Sequence, residues 1–428
     1  MTAIFHPIKA LGLCLLLTFG VAAEQPIIAA KSPTTEKPEV VKFSILISEG
    51  GLHRNLVREL GRRFQQAHPE VRVELLEMTN DAYHRWFGNW QEQDVDLLWY
   101  FAGYRLEQLA QTGDIEDISD LWERQGWDQS FASLKESVSF QGRRYAVPLS
   151  YYQWGFFYKK SLFERYGLKP PQNWEAFLAV CERLKQEGVV PLGLSTASHW
   201  PAASWFSYIN LRLNGLDFHL NLLHGRESYL DERVSRVLTS WKQLIDKGYF
   251  LKGSENYQWR EVLPFLYRDK VGLYLMGSFM PGLVTIPTEE FGFFRFPIMN
   301  EAIPVYEEAP TDVLFISSYS KNKEAAKKFL AFMARPDIQY IYNESLGFVT
   351  PNSEAPQSER RLVRASASYL QQAEGLSQYF DRDTAKVMAE LGFPMLGAFA
   401  REPDIQATQQ ALEAARRQAF QTGMGDDD

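Results

Sequence analysis

The strongest constraint on the fold is an alternation of apolar periods that begins at residue 41. Val41 to Ile47 is a strand-like run, and the apolar positions from Leu52 to Phe64 then recur at helical spacing. Two further strand-like runs, Val71 to Leu76 and Val95 to Tyr100, flank a second helical pattern between Tyr83 and Trp90. Strands and helices that alternate with short connections are typical of a parallel sheet with right-handed crossovers. The sequence therefore predicts an α/β lobe in the N-terminal part.

Elements of both kinds continue to the end of the chain. Asn173 opens a helix as its N-cap, and a longer helix runs from about Asp231 to Lys247, where Gly248 ends it. The other predicted elements are a strand pair at Tyr145 to Val147 and Trp154 to Tyr158, strands at Val271 to Leu275 and Asp312 to Ser317, a helix from Asn322 to Ala334, and a helical tail from Arg360 to Phe420.

The first residues have the pattern of an export signal. Lys9 precedes the apolar run from Ala10 to Val21, which ends in small residues at Ala22 and Ala23. We interpret residues 1–23 as a secretory signal peptide and residues 24–40, rich in Ala, Pro, Ser and Thr, as a flexible leader. The alternative is an N-terminal membrane anchor, although no apolar residues extend the run toward the roughly 20 that a spanning helix needs. A cleaved signal would place the protein in the periplasm.

Charge and cysteine content exclude several classes of protein. The 428 residues carry a formal net charge of −8, whereas a nucleic-acid-binding protein normally has a basic surface. Only two cysteines are present, and cleavage of the signal peptide would leave Cys181 alone, so an internal disulfide is not expected. We expect a monomer that binds no nucleic acid.

Two segments follow predicted parallel strands and are therefore candidates for ligand contact. In open parallel sheets, ligands bind beyond the carboxyl ends of the strands. This rule selects Glu49 and Gly50 after the first strand and Tyr100 at the end of the third. A carboxylate can accept hydrogen bonds from hydroxyl groups, and a tyrosine offers a flat apolar face. Alternatively, the glycines only form a turn and Glu49 stabilises the start of a helix.

Aromatic residues are denser than one strand or helix can explain. Tyr151, Tyr152 and Trp154 lie within four positions, and Trp200 lies in a second aromatic segment. Rings with polar tips suit a sugar site, because pyranoses present apolar faces and hydroxyl edges. The alternative is that these rings fill the core of a large second lobe.

Enzyme and metal signatures are absent from the sequence. It contains no G-x-S-x-G, H-E-x-x-H, P-loop or G-x-G-x-x-G motif, and its histidines lack the spacing of metal ligands. We therefore expect no cofactor, no metal and no catalysis. A pair of glycosidase carboxylates remains an alternative, because their separation depends on the fold.

Several ordered segments resemble the extracellular solute-binding proteins, family 1, of sugar ABC transporters, the group that contains the maltose-binding protein. The similar segments span residues 41 to 420: GRRYAVP (142–148), FFYKKSLF (156–163), PQNW (171–174), GLYLMGSF (272–279), SKNKEAAKKFL (320–330), GFVTP (347–351) and YFDRDT (379–384).

The resemblance implies an α/β, two-lobed periplasmic-binding-protein fold with chain crossovers and a ligand cleft between the lobes. The first lobe would hold residues 41–148 and 308–350, and the second would hold 149–307 and 351–428. Matching positions suggest ligand contacts for Glu49, Tyr100, Tyr152, Trp200 and Phe279, with Asp312 as a further acceptor of hydroxyl groups. Phe279 replaces a tryptophan common in the family, and Gly103 stands where some members have a sugar-binding acid.

The same resemblance implies a function. The protein would capture a sugar or oligosaccharide by hinge closure and deliver it to the permease subunits of an ABC importer in the inner membrane. One alternative is a periplasmic sensor that presents its closed form to a signalling receptor, and another is a secreted carbohydrate-active enzyme.

Overall fold

A computed structural model describes residues 39–46, 51–78, 82–83, 86–283 and 288–420. The predicted signal peptide and nearly all of the predicted leader lie outside this range. Residues 39 and 40, which we assigned to the leader, already belong to the first strand.

The described residues form strands and helices in alternation, with a few short 3₁₀ turns. The strands are β1 (Glu39–Leu46), β2 (Val71–Met78), β3 (Leu97–Phe101), β4 (Ser139–Phe140), β5 (Arg143–Arg144), β6 (Ala146–Tyr151), β7 (Trp154–Lys159), β8 (Val190–Gly193), β9 (Val271–Gly277), β10 (Phe291–Phe294), β11 (Tyr306–Glu308), β12 (Thr311–Ile316) and β13 (Gly375–Ser377). The helices are α1 (Gly51–Ala67), α2 (Tyr104–Thr112), α3 (Ser119–Gln125), α4 (Trp127–Ser130), α5 (Lys160–Arg165), α6 (Trp174–Gln186), α7 (Trp200–Leu223), α8 (Glu232–Asp246), α9 (Leu263–Tyr267), α10 (Met280–Leu283), α11 (Lys323–Ala334), α12 (Pro336–Leu346), α13 (Arg361–Gln371), α14 (Lys386–Phe399) and α15 (Ile405–Phe420).

The first sheet has the strand order β2-β1-β3-β12-β6. Strand β1 pairs in parallel with β2 and β3, as the alternation at the start of the chain predicted. Strand β12 lies antiparallel between β3 and β6, so the chain returns to this sheet after a long excursion. The predicted α/β class is confirmed.

The second sheet has the order β10-β7-β9-β8. Strand β7 is antiparallel to β9 and β10, and β8 is parallel to β9. The predicted pairing of the strands near residues 145–147 and 154–158 is wrong, because β6 belongs to the first sheet and β7 to the second. Residues 152 and 153 therefore carry the chain from one sheet to the other.

Each sheet has its own hydrophobic core. One core gathers β1, β3, β6 and β12 with α1, α2, α11 and α12. The other gathers β7, β8, β9 and β10 with α6, α7, α8, α14 and α15. The short parallel pair β11-β13 belongs to neither sheet. This arrangement of two mixed sheets with separate cores is the one expected of a two-lobed fold.

Local capping explains which helices the sequence predicted well. The Asn173 side chain accepts a hydrogen bond from the Ala176 amide at 2.9 Å, and the Asp231 side chain accepts one from the Arg233 amide at 2.7 Å. The first helix begins after the predicted cap, and the second begins one residue after the predicted start, with Asp231 as its cap. Near Phe87 the structure has a 3₁₀ turn (Phe87–Glu92) in place of much of the predicted helix.

The predicted helical tail from Arg360 to Phe420 is interrupted in the structure. After α13 the chain forms β13 and then an irregular stretch before α14 begins. Apolar residues within this stretch, such as Tyr379 and Phe380, made the helical pattern look continuous in the sequence. In the structure they lie in a turn and pack into the second core. Among the described residues, no helix has both the length and the apolar character required to span a membrane.

Candidate functional site

The chain crossing between the two sheets places Tyr152 beside an aromatic cluster. Its amide donates to the Pro310 carbonyl at 3.3 Å, which anchors the crossing to the turn before β12. Its ring meets Phe279 edge to face, with 4.9 Å between centroids. Burial raises the pKa of the Tyr152 hydroxyl, so it stays protonated at neutral pH.

A charged pair lies next to Tyr152. The Arg382 Nη1 donates to Asp312 Oδ1 at 2.9 Å, and its Nη2 donates to the Tyr152 hydroxyl at 3.3 Å. The guanidinium group also lies over the Phe101 ring, 4.3 Å from its centroid. Burial raises the pKa of Asp312, and the charge of Arg382 opposes that shift. The pair offers a donor and an acceptor within one small space.

Strand register explains why Phe101 and Asp312 share a face. Asp312 is paired with Phe101 on β3 and with Ser150 on β6, and side chains of paired residues point to the same side of a sheet. Ser150 donates its hydroxyl to Asp312 Oδ2 at 3.0 Å. These residues lie at the carboxyl end of β3, the edge at which ligands bind in such sheets.

Aromatic rings from the second core continue the site beyond Tyr152. Trp200, the first residue of α7, is half-buried and contacts Phe279, with 6.5 Å between centroids. Trp259 meets Phe279 edge to face at 5.8 Å. Trp154 stacks on Tyr379 at 4.7 Å with 9° between the ring planes. The rings form a continuous apolar wall, here called the aromatic wall (Tyr152, Trp154, Trp200, Trp259, Phe279 and Tyr379).

The structure brings together four of the predicted site residues: Tyr152, Trp200, Phe279 and Asp312. Tyr100 lies one position from this group in the chain, and its ring stacks on Phe87, with 4.0 Å between centroids, and on Phe101, with 5.3 Å. Its hydroxyl accepts a hydrogen bond from Arg105 Nη2 at 2.6 Å. The assignment of Tyr100 to the ligand remains a prediction.

Tyr151 points away from Tyr152, as neighbouring residues of a strand do. It packs in a small separate cluster with Leu134, Ala309, Val349 and Val363. Its role in ligand binding also remains a prediction. Glu49 and Gly50 lie outside the described residues.

The sequence pattern did not single out four further residues at the site: Arg382, Phe101, Tyr379 and Trp259. Arg382 and Tyr379 belong to the segment YFDRDT (379–384), which carried part of the family resemblance without a role being assigned to it. Three charged residues in an otherwise apolar stretch were the feature of the sequence that could have indicated a site in this segment. Among the described residues, no three His, Cys, Asp or Glu side chains are grouped so as to hold a metal ion.

Comparison with known proteins identifies the family. Residues 50–340 match the model of the bacterial extracellular solute-binding protein. The chain belongs to this family. The solute-binding proteins that it resembles are described as binding proteins and not as enzymes, which agrees with the absence of catalytic motifs.

Curated relatives of this solute-binding protein are distant. An uncharacterized ABC transporter extracellular-binding protein of Pyrococcus horikoshii is 24% identical over 61% of this chain and 59% of its own length. A probable sugar-binding periplasmic protein of Mesorhizobium japonicum is 20% identical over 60% of this chain and 62% of its own length. The chain thus spans about three fifths of the length of each of these relatives.

Solved structures confirm the two-lobed fold of this solute-binding protein. The bacterial solute receptor AcbH superposes with a TM-score of 0.80 at 26% identity, covering 89% of this chain and all of AcbH. That receptor is described as having an exclusive substrate preference for β-D-galactopyranose.

Proposed function

We propose that this protein captures a sugar by hinge closure and delivers it to an ABC importer. One observation carries the proposal: an aromatic wall adjoins the Asp312–Arg382 pair at the place where the chain passes between two sheets. Flat rings suit the apolar faces of a pyranose, and the charged pair suits its hydroxyl groups. The family of the chain supports the same function.

Each side chain has a distinct role in this proposal. Trp200 stacks on the sugar ring, because it is half-buried and keeps part of its surface open. Asp312 accepts a hydrogen bond from a hydroxyl group, and Arg382 donates one. Tyr152, held by Arg382 and Phe279, closes the side of the site. Hydrogen bonds to charged groups contribute about 1.5 to 3 kcal/mol each.

We assign residues 41–148 and 308–350 to the first lobe and residues 149–307 and 351–428 to the second. Two observations support this division. Strands β6 and β7 follow each other in the chain yet lie in different sheets, and β12 returns the chain to the first sheet after β11. Short crossings of this kind let two lobes rotate as rigid bodies about a few residues.

Closure is the step that the sugar drives. A ligand that contacts both lobes favours the closed form by the difference between its affinities for the two forms. To change the closed fraction from about 1% to about 99%, that difference must reach about 5.5 kcal/mol. Two or three hydrogen bonds to charged groups and a stacked ring supply this amount. Micromolar affinity, about 8 kcal/mol, is then expected.

The ligand that we propose as the first candidate is a pyranose of the size of β-D-galactopyranose. The likeness to AcbH, at 26% identity, supports this choice. We further propose that the protein is exported through its N-terminal signal, acts in the periplasm as a monomer, and docks in its closed form on the permease subunits.

A thermal-shift screen followed by calorimetry tests the function. The panel should contain D-galactose, D-glucose, maltose and raffinose. A sugar at 100 times its dissociation constant adds about 2.7 kcal/mol of stability, so the unfolding temperature should rise for at least one of them. Small-angle scattering with that sugar should show a smaller radius of gyration. If none of the sugars stabilises the protein or binds more tightly than 1 mM (about 4 kcal/mol), the proposal is refuted.

A further inference from the structure

The carboxylate of Asp383 ties two distant parts of the chain together. Its Oδ2 accepts a hydrogen bond from the Gln378 amide at 2.6 Å, and its Oδ1 accepts one from the Tyr104 amide at 3.4 Å. Tyr104 is the first residue of α2, 279 positions away. The side chain is buried, with 4% of its surface exposed. Asp383 thus acts as a remote cap for the start of α2.

Gly103 makes room for this carboxylate. A Cβ atom at position 103 would lie 2.3 Å from Asp383 Oδ1 and 2.6 Å from Gln378 Cγ, and the backbone φ of Gly103 is +77°. Both the space and the left-handed conformation require glycine. The Asp383 carboxylate fills the space that a side chain at position 103 would occupy.

The turn from Gln378 to Asp383 also carries Arg382. The Arg382 and Asp383 amides both donate to the Tyr379 carbonyl, at 2.8 and 3.1 Å, and the Arg382 carbonyl accepts from the Arg105 amide at 3.1 Å. Gln378 Oε1 accepts from the Thr311 amide at 2.7 Å, next to Asp312. The bonds of Asp383 therefore close a turn that is fastened at α2 and at β12, with Arg382 between the two fastenings.

We propose that Asp383 is a positioning residue of the binding site: its carboxyl group holds this turn against α2 and thereby directs Arg382 at Asp312 and at the bound sugar. The inference rests on the proposed function. Each carboxyl oxygen accepts one of the two amide hydrogen bonds, so loss of either acceptor frees one end of the turn.

The surroundings of Asp383 make its protonation relevant near neutral pH. Burial raises its pKa to about 7, against the lowering effect of the two amide hydrogen bonds. The titratable and charged groups that face it or its immediate neighbours are Tyr104, Arg105 and Glu107 from α2, His224 and Arg226 after α7, Glu308 from β11, Asp312 from β12, and Asp381 and Arg382 from its own segment. Because the closed turn raises this pKa, the closed turn should become more stable as the pH falls through about 7.

Amide hydrogen exchange on the sugar-free protein tests the positioning role without any ligand. In the wild-type protein, protection of the Tyr104 and Gln378 amides should rise as the pH drops from 8 to 6, after correction for intrinsic exchange, because opening of the turn releases the proton of Asp383. In Asp383→Asn, the side-chain NH₂ group faces one of these amides, and exchange there should be at least tenfold faster at pH 8. Asp404→Asn is the matched control, because Asp404 caps α15 through the Ala407 amide at 2.9 Å, remote in sequence from the turn.

Calorimetry with the tightest-binding sugar of the panel tests the consequence. Asp383→Asn should weaken affinity roughly tenfold, whereas Asp404→Asn should keep the wild-type affinity. Wild-type protection of both amides in Asp383→Asn, protection that keeps its wild-type pH profile in that variant, or unchanged sugar affinity overturns the inference. If no sugar binds to the wild-type protein, the proposed function fails, and the exchange experiment alone still decides whether Asp383 holds the turn.

Discussion

Arg382 donates a hydrogen bond to Asp312 over 2.9 Å, although 70 positions separate the two residues in the sequence. Both are buried, at 7% and 8% exposure, so each charge depends on the other for its stability. The pair also joins β12 to the segment after β13. Its loss should therefore affect both folding and ligand binding.

Arg382→Ala should lower the free energy of unfolding by about 3 kcal/mol, because the substitution leaves the Asp312 carboxylate buried without its partner. Urea unfolding followed by intrinsic fluorescence measures this change. The double variant Arg382→Met/Asp312→Asn removes both charges and should recover part of the loss. Equal stability of the single and double variants would contradict this account of the pair.

Trp200→Ala and Tyr152→Ala should each weaken sugar binding roughly tenfold or more, because each removes a ring from the aromatic wall. Calorimetry measures the affinity, and circular dichroism checks the fold. Trp174→Ala is the matched control. Trp174 is also half-buried and stacks on Phe177, with 5.2 Å between centroids, but it belongs to the start of α6 and not to the wall. If all three variants keep wild-type affinity, the wall does not bind the sugar.

Gly103→Ala should be more destabilising than Gly113→Ala. Both glycines have positive φ, +77° and +76°, so both substitutions cost about 1 kcal/mol of backbone strain. Only at Gly103 would the new methyl group also collide with Asp383, whereas nothing lies within 4 Å of a Cβ at Gly113. We expect a difference of about 1 to 3 kcal/mol in the free energy of unfolding. Equal losses would show that the space beside Asp383 is not tightly filled.

Arg212→Met should lower the free energy of unfolding by about 3 kcal/mol. Arg212 Nη2 and Glu307 Oε1 are 2.9 Å apart, and the side chains are 2% and 0% exposed. Arg236→Met is the control, because Arg236 pairs with Glu232 on the surface of α8 and such pairs contribute about 1 kcal/mol or less. Chemical unfolding compares the two variants. Similar losses of stability in the two variants would mean that burial of an ion pair does not increase the cost of removing one of its partners.

Acid should destabilise the protein in part through His219. Burial lowers the pKa of this histidine from 6.5 to about 3, so the unfolded chain binds a proton between these values and the folded protein does not. Stability should fall as the pH drops from about 6.5 to about 3. When unfolding is measured at pH 7, 6 and 5, His219→Gln should show a shallower slope of stability against pH, and the difference should approach one proton near pH 5. Asp383 contributes a slope of stability against pH of the opposite sign in both the wild-type protein and His219→Gln. Its contribution therefore cancels when the two proteins are compared.

The sequence predicted what depends on local pattern. The apolar periods predicted the three parallel strands, and Asn173 and Asp231 marked the starts of two helices. The density of rings near Tyr152 and Trp200 indicated an aromatic site. Each of these inferences uses neighbours within a few positions along the chain.

What escaped prediction depends on pairing between distant segments. The register of β12 decides that Asp312 is paired with Phe101 and not with Tyr100. Tyr151 and Tyr152 could not be told apart by composition, because only the direction of β6 decides which of them faces the aromatic wall. Arg382 looked like part of a helical tail, since the turn that holds it is closed by Tyr104 and Thr311 from other parts of the chain.

The position of Arg382 on a connecting segment has a consequence for engineering. Arg382, which we propose as a sugar contact, also bonds to Asp312 on β12 and to Tyr152 at the crossing between the sheets, so replacing it would change those structural contacts as well as the sugar specificity. Redesign for a new sugar should therefore begin at Trp200 or Trp259, which pack against the second core. The turn from Gln378 to Asp383 should be left intact.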